Sequence, residues 1–241
     1  MKDMIINGNC YDEIKKIPNN YIDLVYIDIP YFVKNMELGN GSIKKLSGFT
    51  MDKGSKRMDT RINTFQEIGK MCNGVDFSIF DELCRVMKHI NIFIWCSKEQ
   101  IIDLLNYFVK DKKCLFEILV WGKTNPTPFC NNTWLPDLEY CLYFREPKVT
   151  KLNNDIKLKS KYYVSSTNIK DKKLYKHPTI KPLELVERHI LHTTKENDIV
   201  LDCFMGSGTT CVACKKTNRH YIGIEIDDNY YNIAKDRINN E

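Results

Sequence analysis

The sequence predicts a doubly wound α/β fold, in which a mostly parallel sheet carries helices on both faces. Three observations support this prediction: short apolar strands alternate with amphipathic helices, the strand at 23–28 is continuously apolar, and a glycine-rich turn joins a later strand to a helix. Continuously apolar strands are typical of parallel sheets that are covered on both faces. With 241 residues, of which 43% are hydrophobic, the chain can bury one substantial core or two small ones.

The predicted elements follow one another in a regular order. The apolar run at 4–6 is a strand, a turn at 7–9 ends it, and residues 11–17 have helical spacing up to Pro18. The next strand, at 23–28, stops at an acid and a proline. Downstream, strands are predicted at 90–96, 115–121, 138–144, 199–204 and 221–225, and helices at 76–88, 98–110, 182–193, from 209 and at 227–238.

Composition excludes several classes of protein. With 28% charged residues, 8 prolines and 11 glycines, the chain fits neither a disordered nor a fibrous protein. It has no apolar run of the roughly 18 residues that a membrane helix needs, and its start does not resemble a signal peptide, so we expect a cytoplasmic protein. We expect the ten cysteines to be reduced and buried. The same is expected of Cys211 and Cys214, whose C-x-x-C spacing resembles half of a zinc site, because no second pair completes such a site. No metal is predicted.

Positive charge is concentrated in one segment. Residues 145–176 contain ten Lys and Arg against three acids, which gives this segment a net charge of +7. Because the whole chain has a net charge of +5, the rest of the chain has a net charge of −2. Such a segment is typical of a surface that binds a polyanion. A lysine-rich solvated loop would have the same composition, and composition alone does not separate the two.

Residues 200–210 carry the strongest local signal. An apolar strand runs into a Gly-Ser-Gly turn that opens a helix, and Glu225 ends the strand after that helix. The glycines let a ligand approach the backbone, and an acid at that strand end is placed to accept hydrogen bonds from ribose hydroxyls. The spacing is G-x-G rather than G-x-G-x-x-G, which favours a nucleoside without phosphates. The alternative is a tight turn with no ligand.

Two further motifs lie at element ends. Asp28-Ile29-Pro30-Tyr31 follows the strand at 23–28, where open α/β sheets bind ligands, and an acceptor beside an aromatic ring suits a planar amine. His177-Pro178-Thr179-Ile180-Lys181-Pro182 precedes a helix, and its hydroxyl and cation suit a small carboxylate. Taken singly, the first motif is compatible with an ordinary strand exit and the second with a helix cap.

Together the motifs resemble those of the beta class of amino DNA methyltransferases, which use S-adenosylmethionine. In that family D-P-P-Y at a strand end precedes H-P-T-x-K-P and D-x-F-x-G-S-G-T-T, and residues 28–31, 177–182 and 202–210 match them in this order. The match at 28–31 has one departure, because Ile29 replaces the first catalytic proline.

The resemblance spans almost the whole chain. Residues 4–31 are similar to the family's opening, with Asn9 where the family usually has an acid, and residues 121–128 are similar to its Trp-x-Lys-x-Asn-x-x-Pro stretch. Because the first strands then contact the same ligand as the last ones, the resemblance implies a circularly permuted Rossmann-like methyltransferase sheet.

The resemblance also implies a reaction. A site-specific DNA methyltransferase would move a methyl group from S-adenosylmethionine to the exocyclic N6 of an adenine flipped out of duplex DNA. Tyr31 would stack on the base, and the Asp28 carboxylate and Ile29 carbonyl would accept hydrogen bonds from its amine, beside Pro30. In this family Asp at position 28 correlates with adenine N6 and Ser with cytosine N4. The implied catalytic residues are Asp28, Ile29, Pro30 and Tyr31.

For the cofactor, the resemblance implies a site built from both ends of the chain. Its glycine-rich turn would surround the methionine portion, Glu225 would hold the ribose hydroxyls, and Thr179 and Lys181 would lie near the carboxylate. Asn9 and Cys10 would edge the adenine ring. The implied cofactor-binding residues are Asn9, Cys10, Asp28, Thr179, Lys181, Asp202, Phe204, Gly206, Gly208, Thr209 and Glu225.

The implied organisation is one domain with an insertion. Residues 1–144 form the catalytic half, residues 145–176 the inserted target-recognition region, and residues 177–241 the cofactor-binding half. Within the catalytic half, residues 32–75 are either a lid loop that closes over DNA or a disordered insertion. Double-stranded DNA is the implied partner, and a homodimer and a cognate restriction endonuclease are left open. Candidate DNA contacts are Lys123, Asn125, Lys148, Lys151, Lys157, Lys159 and Lys161, with Lys56, Arg57 and Arg61 in the lid.

Other functions stay open at this point. A cytosine-N4 methyltransferase, or an enzyme that methylates an amine of RNA or of a protein side chain, would need the same acceptor and ring. The departure at Ile29 also leaves room for a catalytically impaired DNA-binding homologue.

Overall fold

The computed structural model describes residues 1–32, 74–126, 134–147, 149, 153–167, 174–175 and 179–241. These residues form one eight-stranded sheet and the helices that flank it. The greater part of the predicted lid at 32–75 lies outside the described residues.

Seven of the strands lie where the sequence predicts them, and one is an addition. Each predicted strand is reproduced to within a few residues at its ends. The strands are β1 (Met4–Asn7), β2 (Leu24–Asp28), β3 (Asn91–Cys96), β4 (Leu115–Lys123), β5 (Leu138–Arg145), β6 (Tyr162–Ser165), β7 (Ile199–Asp202) and β8 (His220–Glu225).

The sheet is mostly parallel, which confirms the predicted fold class. Its strand order is β1-β8-β7-β2-β3-β5-β4-β6. The first five strands in this order are parallel to one another, β5 is antiparallel to both of its neighbours, and β6 is parallel to β4. The first strand of the chain pairs with the last, Met4 lying opposite Ile222, and this pairing gives the permuted order of the sheet.

Helices pack on both faces of the parallel part of the sheet. The α-helices are α1 (Cys10–Glu13), α2 (Ser78–Val86), α3 (Ile101–Leu105), α4 (Leu183–Thr193), α5 (Thr209–Lys216) and α6 (Asp228–Asn240). The helix predicted at 98–110 is irregular, because a 3₁₀ turn precedes α3 and a π-helical segment at 106–111 follows it. None of the helices in the described part of the chain is long and apolar enough to cross a membrane.

Alternation along the central strands separates two cores. On β2, Val25 and Ile27 pack with the side of the molecule that carries α2 and α3, whereas Leu24 and Tyr26 pack with α4 and α5. All four side chains are buried. Since successive side chains of a strand point to opposite faces, an unbroken apolar strand fills both cores at once.

The segment 145–176 contributes more to the sheet than predicted. Within it, residues 162–165 form β6, an edge strand whose Tyr162 lies opposite Val120 of β4. The sequence analysis predicted this segment as an inserted target-recognition region and predicted no strand within it, so β6 is an addition. Its lysine-rich flanks concealed the strand, because an edge strand with one wet face carries only a weak apolar pattern.

The turn between β7 and α5 requires a glycine at its end. Gly208 has a φ of 78°, in the left-handed region, and a Cβ built there would lie 3.0 Å from the Cβ of Ala234 on α6. Left-handed backbone is strained for residues with a Cβ, and the close approach of α6 leaves little room for one. Gly208 thus serves the packing of α5 against α6.

We expect Gly208→Ala to lower the free energy of unfolding by about 1–3 kcal/mol or more, because strain and crowding act together. Gly74→Ala is the matched control, since Gly74 has a φ of 75° but a Cβ there would meet its nearest neighbour at 3.4 Å. Urea unfolding of both variants measures the difference. Equal losses would show that crowding against Ala234 contributes nothing.

Candidate active site

A cleft of about 1160 Å³ opens along the carboxyl ends of the central parallel strands. β2 and β7 are neighbours in the sheet, although residues far apart in the chain form them. The cleft therefore collects residues from both ends of the sequence. Nearly all the predicted catalytic and cofactor residues line it, namely Asn9, Cys10, Asp28, Ile29, Pro30, Tyr31, Thr179, Lys181, Asp202, Phe204, Gly206, Thr209 and Glu225.

Gly208 is the exception among the predicted cofactor residues. It does not line the cleft, and its α-carbon faces Ala234 instead. The glycine pattern that suggested ligand contact is here explained by the packing of two helices at this position.

Asp28 ends β2 at the floor of the cleft. Its Oδ2 accepts a hydrogen bond from the ammonium group of Lys181, which is itself buried. Its Oδ1 is buried and has no hydrogen-bond partner among the described residues. Burial raises the pKa of Asp28, Lys181 opposes that rise, and Glu139 adds to it. Asp28 is thus a carboxylate with one oxygen engaged and one acceptor oxygen unused.

Lys181 has a second carboxylate partner in Glu139, on β5. Lys181 Nζ lies 3.1 Å from Glu139 Oε2, and Lys123 Nζ lies 2.7 Å from Glu139 Oε1. Burial alone would raise the pKa of Glu139, but the two lysines outweigh it and hold the pKa at about 2. Two ammonium groups and two carboxylates therefore form one neutral cluster, which is the condition for burying such charges.

Glu139 is a residue of the cleft that the sequence analysis did not predict. It occupies the second position of the predicted strand 138–144, whose other members are apolar apart from tyrosines. A lone acid in such a strand was a signal that could have identified it. Its partner Lys123 is a predicted DNA contact, and the structure pairs its ammonium group with Glu139 and places it 5.4 Å from the ring centre of Trp121.

Aromatic rings surround the same ammonium group. Lys181 Nζ lies 5.1 Å from the ring centre of Trp95 and 5.6 Å from that of Tyr31, both within the range of cation–π attraction. The Tyr31 hydroxyl lies 3.4 Å from Lys181 Nζ and donates to Glu139 Oε2 at 3.4 Å. Trp95 Nε1 donates to the buried Tyr26 hydroxyl at 3.0 Å, so the indole ring is held in place.

Neighbouring chain segments hold the turn at 28–32. Ile29 N–H donates to the Trp95 carbonyl at 3.3 Å, and Gln100 Nε2 donates to the Pro30 carbonyl at 3.0 Å. Ser97 Oγ donates to the Phe32 carbonyl at 2.8 Å. The Ile29 side chain is buried in the core that contains α2 and α3. These contacts restrain the backbone of the turn on both sides of Pro30.

The other end of the cleft is shaped by two acids. Glu225 Oε2 accepts from Gly206 N–H at 2.8 Å, and its Oε1 accepts from Asp227 N–H at 2.9 Å. Asp202 Oδ1 accepts from Phe204 N–H at 3.1 Å. Burial raises the pKa of Glu225, and it raises the pKa of Asp202 to about 7. Both carboxylates are thus oriented by backbone groups of the turns that flank them.

Asn9 and Cys10 line the same end from β1 and α1. Asn9 Oδ1 accepts from Tyr11 N–H at 3.0 Å and so caps α1. An asparagine performs this capping as well as the acid it replaces. The Cys10 thiol hydrogen-bonds Cys203, and this contact lowers the pKa of Cys10.

The predicted DNA-binding residues have different environments. Lys148 and Lys151 lie outside the described residues, as do Lys56, Arg57 and Arg61 of the lid and His177-Pro178 of the third motif. Lys161 pairs with Glu117, and Asn125 Oδ1 accepts from Thr167 N–H at 2.6 Å, so both have structural partners. Lys157 and Lys159 are exposed beside a 3₁₀ turn at 156–158. Cys211 and Cys214 are buried in α5, as predicted.

The raised pKa of Asp202 predicts a pH dependence of stability. Its folded-state pKa of about 7 lies above the ordinary value of 3.8, so the ligand-free protein binds a proton that the unfolded chain releases. Its contribution to stability is complete below pH 4, is lost as the pH rises to 7, and amounts to on the order of 4 kcal/mol. Asp202→Asn should remove this loss in urea unfolding between pH 4 and 8. Parallel curves for the two proteins would contradict it.

Structural comparison identifies the class of protein. The crystal structure of the M1.HpyAVI–SAM complex aligns with a TM-score of 0.67 and 26% sequence identity, covering 98% of this chain and 98% of that one. The cytosine-N4-specific PvuII DNA methyltransferase aligns with the same TM-score at 14% identity, covering 100% of this chain and 91% of its own, and supports the fold alone. The fold is that of a methyltransferase.

Sequence comparison defines the family. The DNA methylase family model matches residues 22–236, and the chain belongs to this family of N6 and N4 DNA methyltransferases. The type II methyltransferase M2.LlaDCHI of Lactococcus lactis subsp. cremoris is 31% identical over 98% of this chain and 89% of its own length. The type II methyltransferase M.HinfI of Haemophilus influenzae is 30% identical over 97% of this chain and 67% of its own length.

Proposed function

We propose that this DNA methyltransferase moves a methyl group from S-adenosylmethionine to the exocyclic N6 of an adenine flipped out of duplex DNA. The observation that carries the proposal is the Asp28 carboxylate at the floor of the cleft. It presents a buried oxygen without a partner among the described residues, beside the ring of Tyr31. An exocyclic amine is a donor that would satisfy that oxygen.

The cleft residues fit the cofactor. S-adenosylmethionine is the ligand of the similar M1.HpyAVI complex, in agreement with the cofactor predicted from the motifs. Glu225 presents a carboxylate that backbone N–H groups orient, which suits a ribose diol. The cleft of about 1160 Å³ has room for a nucleoside cofactor and a flipped base together. That Thr179 and Lys181 approach the methionine carboxylate stays a prediction, and it requires Lys181 to share its ammonium group further.

The chain's own groups would act by orientation and charge. S-adenosylmethionine supplies an electrophilic methyl group. Asp28 and the Ile29 carbonyl would accept hydrogen bonds from the two N–H groups of the amine, which directs the nitrogen lone pair toward that methyl group. As the new bond between nitrogen and carbon forms, the bond between sulfur and that carbon would break, and the surplus proton of the nitrogen would pass to solvent. Tyr31 would hold the base plane. Alignment of this kind contributes up to roughly 7–11 kcal/mol in well-oriented reactions, and it needs no covalent intermediate.

The choice of adenine rests on Asp28. A carboxylate accepts strongly from the amine, and the resemblance associates this residue with N6 of adenine. Ile29 is compatible with activity, because its N–H donates to the Trp95 carbonyl and the backbone carbonyl proposed as an acceptor is present whatever the side chain.

DNA contact is proposed for the basic segment 145–176. Lys157 and Lys159 are exposed there and would hold phosphates without reading sequence. Of the other lysines in the segment, Lys161 pairs with Glu117, and the rest lie outside the described residues. A cognate endonuclease that recognises the same site is a further proposal, suggested by the name type II methyltransferase of the relatives, and a homodimer is another.

Identifying the methylated base tests the proposal. Wild-type protein incubated with unmethylated bacterial genomic DNA and labelled S-adenosylmethionine should yield labelled N6-methyladenine on nucleoside digestion and mass spectrometry. Label on N4-methylcytosine would overturn the choice of adenine. Label on RNA or protein but not on DNA would favour the alternative substrates.

Asp28→Asn keeps the shape of the side chain but removes its charge. We expect kcat to fall by about 10²–10³-fold, the usual cost of removing one charge-stabilising group. Asp103→Asn, an exposed carboxylate on α3 outside the cleft, should retain wild-type activity. Unchanged kcat in Asp28→Asn would show that the carboxylate charge is not used.

The role proposed for Glu225 can be tested by a double-mutant cycle in which one change is made in the protein, at Glu225, and the other in the ligand, at the ribose 2′-hydroxyl. Wild-type protein should bind S-adenosylhomocysteine about tenfold more tightly than its 2′-deoxy analogue, because a charge-assisted hydrogen bond is lost. Glu225→Gln should bind the two ligands with nearly equal affinity in titration calorimetry. A preference as large as that of wild type would place the ribose elsewhere.

A further inference from the structure

We propose that Glu139 is a positioning residue for methyl transfer, which acts through Lys181 to hold the Asp28 carboxylate in the orientation that the target amine requires. The inference rests on the proposed role of Asp28 as acceptor. It concerns a residue of β5 that none of the three sequence motifs contains.

The sheet itself explains why a bridge is needed. β3 separates β2 from β5, with Asp28 opposite Trp95 and Trp95 opposite Cys141. Strands two positions apart lie about 10 Å from each other, too far for direct contact between two carboxylates. The Lys181 ammonium group spans this gap above the ring of Trp95 and pairs with a carboxylate on each side.

Glu139 is well suited to anchor that bridge. Its second oxygen is held by Lys123 at 2.7 Å, and the exposed fraction of its side chain is 17%. With its pKa lowered to about 2, Glu139 stays charged at any pH at which the protein works. An anchored and permanently charged partner fixes the position of Lys181 between the strands.

Glu139 also shares the ammonium group of Lys181 with Asp28. Without Glu139, the ammonium group would interact with Asp28 alone, move toward β2, and compete with the target amine for the carboxylate. In addition, the negative charge of Glu139 raises the pKa of Asp28, so its removal lowers that pKa. Both effects follow from one buried cation being shared by two carboxylates.

Other titratable groups around Asp28 do not duplicate this effect. Tyr31 hydrogen-bonds within the cluster, and burial raises its pKa well above 10, so that it stays neutral. Lys123 acts on the cluster through Glu139. The further groups near enough to interact with Asp28 are Tyr26, Cys96, Cys141 and Asp202. Of these, Asp202 has a pKa of about 7 and also changes charge between pH 5 and 9, but it does so in wild type and in the Glu139 variants alike, so the shift between them reports on Glu139.

The experiment compares Glu139→Gln, Lys123→Gln and the double variant Lys123→Gln/Glu139→Gln with wild type. Methyl transfer to unmethylated genomic DNA is measured over a range of cofactor concentrations up to saturation, from pH 5 to 9, and urea unfolding is measured in parallel. Glu139→Gln should lower kcat by about 10- to 100-fold through misplacement of Lys181, with KM for cofactor changed far less. Because Asp28 must be ionised to accept from the amine, activity falls as the pH drops through its pKa. The acid limb should therefore shift to lower pH.

The double variant separates positioning from stability. Glu139→Gln leaves the Lys123 charge buried without its partner, and this should destabilise the protein. Removal of both charges should restore much of the lost stability, while kcat stays low and the acid limb stays shifted. Glu82→Gln breaks an ion pair with Arg85 on α2, outside the cleft, and should leave both kcat and the acid limb unchanged.

The outcomes that would overturn the proposal are distinct. Wild-type kcat and an unshifted acid limb in Glu139→Gln would show that Glu139 does not act on Asp28. Recovery of kcat together with stability in the double variant would make Glu139 merely structural. If wild type methylates no DNA while all variants fold, the proposed function fails and the inference fails with it.

Discussion

β2 and β7 lie side by side at the centre of the sheet, with Leu24 opposite Val200, and the site depends on this pairing. The strands come from opposite ends of the chain, and each ends in an aspartate, Asp28 and Asp202. Parallel strands bring their carboxyl ends to one edge, so the two aspartates face a common cleft. The pairing of β1 with β8 has the same effect one position further out, and it places Asn9 near Glu225. Both ends of the sequence thus meet in a single binding site.

The charge balance of this cleft imposes a second constraint. A buried carboxylate such as Asp28 is tolerated when a cation compensates it, and Lys181 is that cation. Lys181 in turn is compensated by a second carboxylate, Glu139, whose own excess charge is neutralised by Lys123. The acceptor therefore depends on β4 and β5, the antiparallel part of the sheet. Without this charge cluster, β4 and β5 would have only a structural role, as an extension of the parallel sheet.

Several features were predictable because their causes are local. Continuous apolar strands, helices of regular spacing and the turns at 28–31 and 202–210 depend on residues adjacent in sequence. Other features were not predictable, for physical reasons that differ. β6 forms because the edge of β4 offers unpaired backbone groups, and its own residues carry little pattern. As a lysine, Lys123 is the residue type that contacts DNA, but its carboxylate partner Glu139 comes near only when β4 pairs with β5. The second glycine of the turn, Gly208, was predicted to contact the cofactor. In the structure, the close approach of α6 and the positive φ account for a glycine at this position.

The sequence by itself determined the family, the order of the motifs and the identity of the groups at the strand ends, since these depend on residue type and spacing along the chain. Only the tertiary structure decided which charges are paired, which oxygen of Asp28 is left as an acceptor, and that Glu139 belongs to the site. Ion pairing and burial depend on distances between segments that are far apart in sequence. Those distances exist only once the two ends of the chain have paired within one sheet.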